Sequence, residues 1–321
     1  MKILVTGANG FLAGYIIRNL LHRNEVVYGL YRKNANASNL IDLPITHIHG
    51  DILNKEDVKR AMKDIDVVIH TAAVTSPAAT NDEYFRVNVM ASEYMLDAAI
   101  SNNCRRIIYI STANTIGFGD KQHPGKEEME ISPEFKDSSY ARSKLLAENM
   151  FIRAASDHLI EAIVVNPSFM IGYDSKKGST MKIFNLFLKS NPLLVPGGGK
   201  NFIYVDDAAK AICNAIHSGK SGSRYLLVNE NLSYYEFYGK VESVSSIIKH
   251  KIRIPNTLLI GIGYAVSFLN MFGFNMPLTK ANARILTIKN YYSPVKSITE
   301  LNLPQTAIEV AISEALKWYR I

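Results

Sequence analysis

The chain is poor in cysteine, carries no metal-binding signature and has no long run of one charge, and each absence removes a class of protein. Two cysteines in 321 residues, Cys104 and Cys213, cannot build a disulfide framework and fit a reducing compartment such as the cytoplasm. No His-Glu-x-x-His and no paired Cys-x-x-Cys occurs, so no metal is expected. His47 and His49, close to Asp51, have the spacing of alternate strand residues and read as packing or solvent groups. The formal net charge is +7, yet no run of five Lys/Arg appears and no nucleic-acid motif accompanies it. Nucleic acid is therefore not an expected partner. Internal repeats and low-complexity tracts are missing too. The first apolar run begins one residue after Met1, so no signal or transit peptide is expected.

What is present is an ordinary globular composition, 47% hydrophobic and 20% charged, with length enough for one or two domains. Short apolar runs at 25–30, 46–49, 66–70, 106–110 and 161–165 alternate with helical patterns at 55–63, 83–102 and 138–155. Strands alternating with helices imply a parallel sheet covered on both faces, and right-handed crossovers lead to a doubly wound α/β fold. After Pro167 the rhythm breaks. A Gly/Ser/Lys cluster at 172–179 and the run Pro196-Gly197-Gly198-Gly199 mark loops. Strands are expected at 202–205 and 225–228 on either side of a helix at 206–217. The remainder reads as a smaller, mostly helical unit over the carboxyl edge of the sheet, where ligands of such folds bind.

The most informative stretch is Ile3-Leu4-Val5-Thr6-Gly7-Ala8-Asn9-Gly10-Phe11-Leu12-Ala13. It reads as strand, tight turn and helix. Gly7 and Gly10 let the backbone turn sharply and come close to a ligand, and the helix that follows aims free N–H groups and a positive dipole end at the same place. A diphosphate suits that position. The spacing is Gly-x-x-Gly-x-x-Ala rather than Gly-x-Gly-x-x-Gly.

Tyr140-Ala141-Arg142-Ser143-Lys144 lies in a helical pattern, which places Tyr140 and Lys144 one turn apart on one face. The ammonium is expected to lower the Tyr140 pKa, leaving a phenol able to exchange a proton with an alcohol or a carbonyl. A second copy of the spacing, Tyr292 to Lys296, contains Pro294, which argues against a helix there. Ser111 and Thr112 follow the fifth apolar run, where a hydroxyl would face the site.

In order along about two-thirds of the chain, these motifs resemble the extended short-chain dehydrogenase/reductase family, the NAD(P)-dependent epimerases and dehydratases. The matching segments are Thr6–Leu12, Gly50-Asp51-Ile52, His70-Thr71-Ala72-Ala73, Asn88-Val89, Ser111–Gly117, Tyr140–Lys144, Asn166-Pro167 through Gly172, and Lys200–Asp207. The resemblance implies a Rossmann-type doubly wound sheet with a smaller, mostly helical C-terminal substrate domain. Its division would be 1–165 plus 200–229 for the NAD(P)-binding domain and 166–199 plus 230–321 for the substrate domain. It implies Tyr140 as catalytic acid/base, Lys144 on the nicotinamide ribose, Thr112 as the catalytic hydroxyl, and Asn88 in the helix behind the site. Gly7, Asn9, Gly10, Phe11 and Leu12 would take the diphosphate side of the cofactor. Asp51 and Ile52 would flank the adenine. Thr71, Ala72, Ala73 and Pro167 would line the remainder, together with Tyr140 and Lys144.

NAD-preferring members resemble one another in an Asp at the end of the second strand. Here that place holds Tyr31-Arg32-Lys33, with no acid and two cations that suit a 2′-phosphate, so NADP(H) is the expected cofactor with NAD(H) second. Sugar-nucleotide members carry an Arg before the Phe-x-Tyr-Val-Asp-Asp run, whereas this chain has Lys200. The branch it resembles is that of the dihydroflavonol reductases and 3-beta-hydroxysteroid dehydrogenases. That implies carbonyl–alcohol interconversion on a bulky apolar small molecule. A nucleotide-sugar epimerase or dehydratase stands second and a non-catalytic dinucleotide-binding protein third; a homodimer is compatible with each.

Between Arg253 and Lys280 no residue is charged. Gly261, Gly263 and Gly273 with Asn270 and Asn275 dilute the stretch, and Pro255 and Pro277 bracket it. Residues 254–279 must bury themselves, wall an apolar pocket or touch lipid. The expectation is a wall of the substrate cleft, with peripheral membrane contact and a membrane span as the alternatives.

Overall fold

The computed structural model describes residues 1–173, 179–272, 274 and 278–319. Six strands follow the apolar runs: β1 (Lys2–Thr6), β2 (Val26–Tyr31), β3 (Thr46–His49), β4 (Val67–His70), β5 (Arg106–Ile110) and β6 (Glu161–Pro167). After the break come β7 (Phe169–Ile171), β8 (Leu193–Val195) and β9 (Gly199–Tyr204), then β10 (Arg224–Leu227), β11 (Glu230–Ser233), β12 (Lys251–Arg253) and β13 (Lys289–Asn290).

The main sheet is parallel, with strand order β10-β6-β5-β4-β1-β2-β3. The strands alternate between two cores, as the two-residue period of a strand requires. Ile3, Val5, Val67, Ile69, Ile108 and Ile110 pack on one side with the helices Phe11–His22 and Val205–Ser218. Leu4, Val68, Ile107 and Tyr109 pack on the other side with Met95, Leu96 and Phe151. The strand order reverses between β1 and β4, and a crevice opens there at the carboxyl edge.

Among the described residues, a second, four-stranded sheet runs β11-β9-β13, with β7 also paired to β9. The strand expected at 202–205 is therefore β9, outside the main sheet. Its two faces explain this. Ile203 packs into the core of the main sheet, while Phe202 packs into a third core with Phe184, Phe237 and Tyr238. The segment 200–204 thus joins the two units rather than belonging to the dinucleotide-binding sheet alone. The helical pattern at 83–102 is one continuous helical run, Asn81–Tyr84, a π-turn at Phe85–Met90, then Ala91–Ser101.

Candidate active site

Gly7 follows β1 with a φ of +60°, and a methyl group there would stand 2.9 Å from the Ala72 Cα. Glycine is thus required twice over, by the backbone and by the close approach of the β4 edge. The Gly10 N–H donates to the Gly7 carbonyl at 2.7 Å, and Gly10 caps the helix Phe11–His22 with no side chain. The first-turn N–H groups of that helix therefore meet the crevice with no capping side chain in the way. Thr6 fastens the neighbouring edge: its Oγ1 accepts from the Ala72 N–H at 3.2 Å, and its carbonyl accepts from the Thr71 hydroxyl at 2.5 Å.

The crevice is a cleft of about 640 Å³. Gly7, Asn9, Gly10, Phe11 and Leu12 line it beside Arg32, Asp51, Ile52, Thr71, Ala72 and Ala73. Further along lie Thr112, Tyr140, Lys144 and Pro167. Fifteen positions singled out by sequence thus meet in one cavity. Two do not line it. Lys33, exposed like Arg32, borders a shallow recess beside the cleft that Arg32, Gly50 and Asp51 also line. Asn88, expected among the catalytic residues, is fully buried behind the cleft. The π-turn aims it inward, and its carboxamide is consumed. Oδ1 accepts from the Val74 N–H at 2.8 Å, while Nδ2 donates to the Val74 carbonyl and the Ser143 Oγ at 3.0 Å each. It ties the loop after β4 to the helix Ser139–Ser156.

That helix starts where the Ser138 hydroxyl accepts from the Ala141 N–H. It carries Tyr140, Lys144 and Glu148 on one face. Lys144 is buried, its ammonium 4.2 Å from the centre of the Tyr109 ring. Burial lowers the Lys144 pKa to about 7, against the pull of the Glu148 carboxylate. The expected drop in the Tyr140 pKa is not found. Burial raises it to about 12, with a hydrogen bond from Thr112 opposing and Tyr84 adding. Desolvation of the phenolate prevails.

Glu148 is a site residue that the sequence reading missed, although its spacing from Lys144 was visible. It is completely buried, and Oε2 accepts from Ser111 Oγ at 2.6 Å, Thr115 Oγ1 at 2.9 Å and Asn166 Nδ2 at 2.9 Å. Arg224 meets its other oxygen at 2.8 Å.

At the far end the cleft is walled by Phe169, Met170, Thr180, Lys200, Asn201, Asn290 and Tyr292. Burial lowers the Lys200 pKa to about 8. Tyr292 does not repeat the Tyr140 arrangement. It precedes the helix Val295–Leu301, its hydroxyl donates to the Ala113 carbonyl at 3.0 Å, and Lys296 turns to the Tyr225 ring instead. The described residues of 254–279 do not border the cleft, so the expected apolar wall is not drawn from them. His47 and His49 pack on Tyr31.

The donor set suits a dinucleotide: an uncapped helix start against a glycine turn, apolar walls along β4, and cations after β2. Residues 3–228 match the NAD-dependent epimerase/dehydratase family. A Synechocystis protein carrying the provisional name dihydroflavonol 4-reductase is 28% identical over 98% of this chain and 94% of its own length. The 3-beta-hydroxysteroid dehydrogenase of Mycolicibacterium neoaurum is 27% identical over 99% of this chain and 91% of that protein. The UDP-glucose 4-epimerase of Thermus thermophilus, solved with NAD, superposes with a TM-score of 0.79 at 19% identity, covering 100% of this chain and 99% of that one. That likeness concerns the fold.

Proposed function

The chain belongs to the NAD-dependent epimerase/dehydratase family, an extended short-chain dehydrogenase/reductase, and from that premise we propose an NADP-dependent oxidoreductase that interconverts a carbonyl and an alcohol on a bulky, apolar small molecule. The observation that carries this reading is the far wall of the cleft. Phe169, Met170 and Tyr292 give it apolar surface beside the polar Thr180, Asn201 and Asn290, and among the described residues its cation is the ammonium of Lys200 rather than a guanidinium fork for a sugar-nucleotide diphosphate. The full-length similarity to a dihydroflavonol 4-reductase and a hydroxysteroid dehydrogenase supports the same choice.

The bound nicotinamide would supply or accept the hydride. The Gly7–Leu12 turn holds the diphosphate, Asp51 and Ile52 flank the adenine, and Thr71, Ala72, Ala73 and Pro167 wall the cofactor. Arg32 and Lys33 take the 2′-phosphate. In reduction the neutral Tyr140 phenol gives its proton to the carbonyl oxygen, which the Thr112 hydroxyl holds in place. Lys144 positions the ribose, and its positive charge eases the loss of that proton. Near neutral pH the high Tyr140 pKa keeps the phenol protonated, the form that donates in reduction.

The test is a turnover and thermal-shift screen with NADPH present, setting aromatic ketones, sterol-like ketones and lipid carbonyls against UDP- and GDP-sugars. Turnover of apolar carbonyl compounds is expected. Turnover confined to a nucleotide sugar overturns the reading.

A further inference from the structure

We propose that the face built by the helices Asn256–Asn270 and Lys280–Thr287 docks on an anionic lipid bilayer. The helix Asn256–Asn270 buries only Leu259, Gly263 and Val266. Ile260 is half-buried, while Leu258, Ile262, Tyr264, Leu269 and Phe268, the last 60% exposed, face outward, and the turn after the helix is more exposed still, with Phe272 at 68% and Met271 at 80%. Such a cluster is far from the single exposed leucine of an ordinary surface. An uncharged segment of this kind has three fates: to bury itself, to wall a pocket, or to meet an apolar phase. The first holds for three residues, and the cleft lining excludes the second for the described residues.

The charge around the patch identifies the phase. From residue 243 to 299 there is no Asp or Glu, while Lys249, Lys251, Arg253, Lys280, Arg284 and Lys289 all fall there; Lys251 is ion-paired with Glu242, and Lys296, in the same stretch, turns to Tyr225. Arg253 and Lys280 rest on the faces of Tyr235 and Tyr264. Neither these two nor Arg284 and Lys289 form an ion pair with a carboxylate among the described residues. Exposed aromatic and aliphatic groups ringed by unpaired cations match the acyl boundary and headgroups of an anionic membrane. A second copy of the chain suits the face poorly, since a two-fold contact would set this acid-free patch against itself. The helix lies on the surface and does not cross, because no described helix is long and apolar enough to span. From this face the chain runs through β13 directly into Asn290 and Tyr292 of the cleft wall. The docked face is thus joined by a few residues to the end of the cleft where the substrate is expected.

The test is co-sedimentation of the full chain with phosphatidylcholine vesicles, with and without phosphatidylglycerol. Binding is expected only with phosphatidylglycerol, and high salt should release it, because exposed charges are screened. Phe268→Ser/Phe272→Ser and, separately, Arg284→Gln/Lys289→Gln should each lower the vesicle-bound fraction by about tenfold. Far-UV circular dichroism and the thermal midpoint should stay unchanged. If the serine variant unfolds, the lipid-composition and salt dependence of the native chain still decides. Equal binding to both vesicle types, no binding to either, or a dimer that Phe268→Ser dissolves each overturns the proposal.

Discussion

Glu148 and Arg224 meet at 2.8 Å where the helix bearing Tyr140 crosses the edge strand β10, and the glutamate is completely buried. Its other oxygen holds Ser111, Thr115 and Asn166 at the ends of β5 and β6. One carboxylate therefore fixes the catalytic helix to three strands. Glu148→Ala leaves Arg224 without its carboxylate and Ser111 Oγ without its acceptor, while Thr115 and Asn166 keep their bonds to the Thr112 carbonyl. Breaking a buried pair costs about 3–5 kcal/mol, and the lower end is expected because Arg224 keeps some contact with solvent. Glu148→Gln should cost less in the thermal midpoint. It also removes the charge that supports the Lys144 ammonium against burial, so the Lys144 pKa should fall further below about 7. The loss of reductive turnover on raising the pH should then set in at lower pH in Glu148→Gln than in the native chain. An unmoved pH profile would separate Glu148 from Lys144.

Tyr140→Phe should keep cofactor affinity and lose turnover by about 10²–10⁴-fold, the scale of acid–base assistance. Tyr292→Phe removes one of the two donors to the Ala113 carbonyl, which keeps the Ile116 N–H. It should lower stability by about 1 kcal/mol and reduce turnover far less than Tyr140→Phe does. Reversed effects of the two variants on steady-state turnover would move the site.

The alternation of strands and helices up to Pro167 is legible because strands buried on both faces read as apolar runs, as Val67–Ile69 does in the wholly buried Val67–His70. The glycine turn and the Tyr140/Lys144 pair are legible because each needs a fixed local spacing. The four-stranded second sheet is not. It draws β7, β9, β11 and β13 from separate segments, some as short as the two residues Lys289–Asn290, and so few residues show no period. The direction of the Tyr140 shift also escapes the sequence, since the spacing reveals the neighbouring ammonium but not the burial of both groups. For Asn88, the match to a family position said nothing of a π-turn that spends the carboxamide on Val74 and Ser143.

Arg32 is exposed on the cleft rim, with no carboxylate at the end of β2 to bind a free ribose 2′-hydroxyl. NADPH should bind more tightly than NADH. Arg32→Ala should weaken NADPH by about 1.5–3 kcal/mol, the scale of a charge-assisted hydrogen bond, and spare NADH. Titration of both cofactors into native and variant protein checks this, and equal affinities in the native chain would refute it.

Gly7→Ala forces a methyl group to 2.9 Å from the Ala72 Cα at a φ of +60°. Either the turn or the β4 edge must shift, and both line the cleft. Cofactor affinity should fall by at least tenfold, together with a strain cost of about 1–3 kcal/mol in the thermal midpoint. A variant that binds the cofactor normally would mean that the turn does not carry the diphosphate.

Lys200 gives a stability prediction whose sign depends on pH. Burial holds its pKa at about 8 in the folded protein against an ordinary 10.5. The unfolded chain therefore binds more protons than the folded one between those values, and stability from this residue rises with pH across that window. The penalty of keeping the ammonium in the cleft is complete below about pH 8 and gone above 10.5. Lys200→Met fills the same space with an apolar chain against Phe169 and carries no such penalty. The thermal midpoint of the cofactor-free variant should exceed the native value below pH 8, by about 1.5 °C if the solvent-discounted penalty is near 1 kcal/mol. The difference should shrink steadily toward pH 10.5. Lys144, also depressed by burial, is unchanged in both proteins, so its own pH dependence cancels in the comparison. A midpoint lower than native at pH 7, or a difference that does not change with pH, would mean that the Lys200 ammonium is stabilised where it stands.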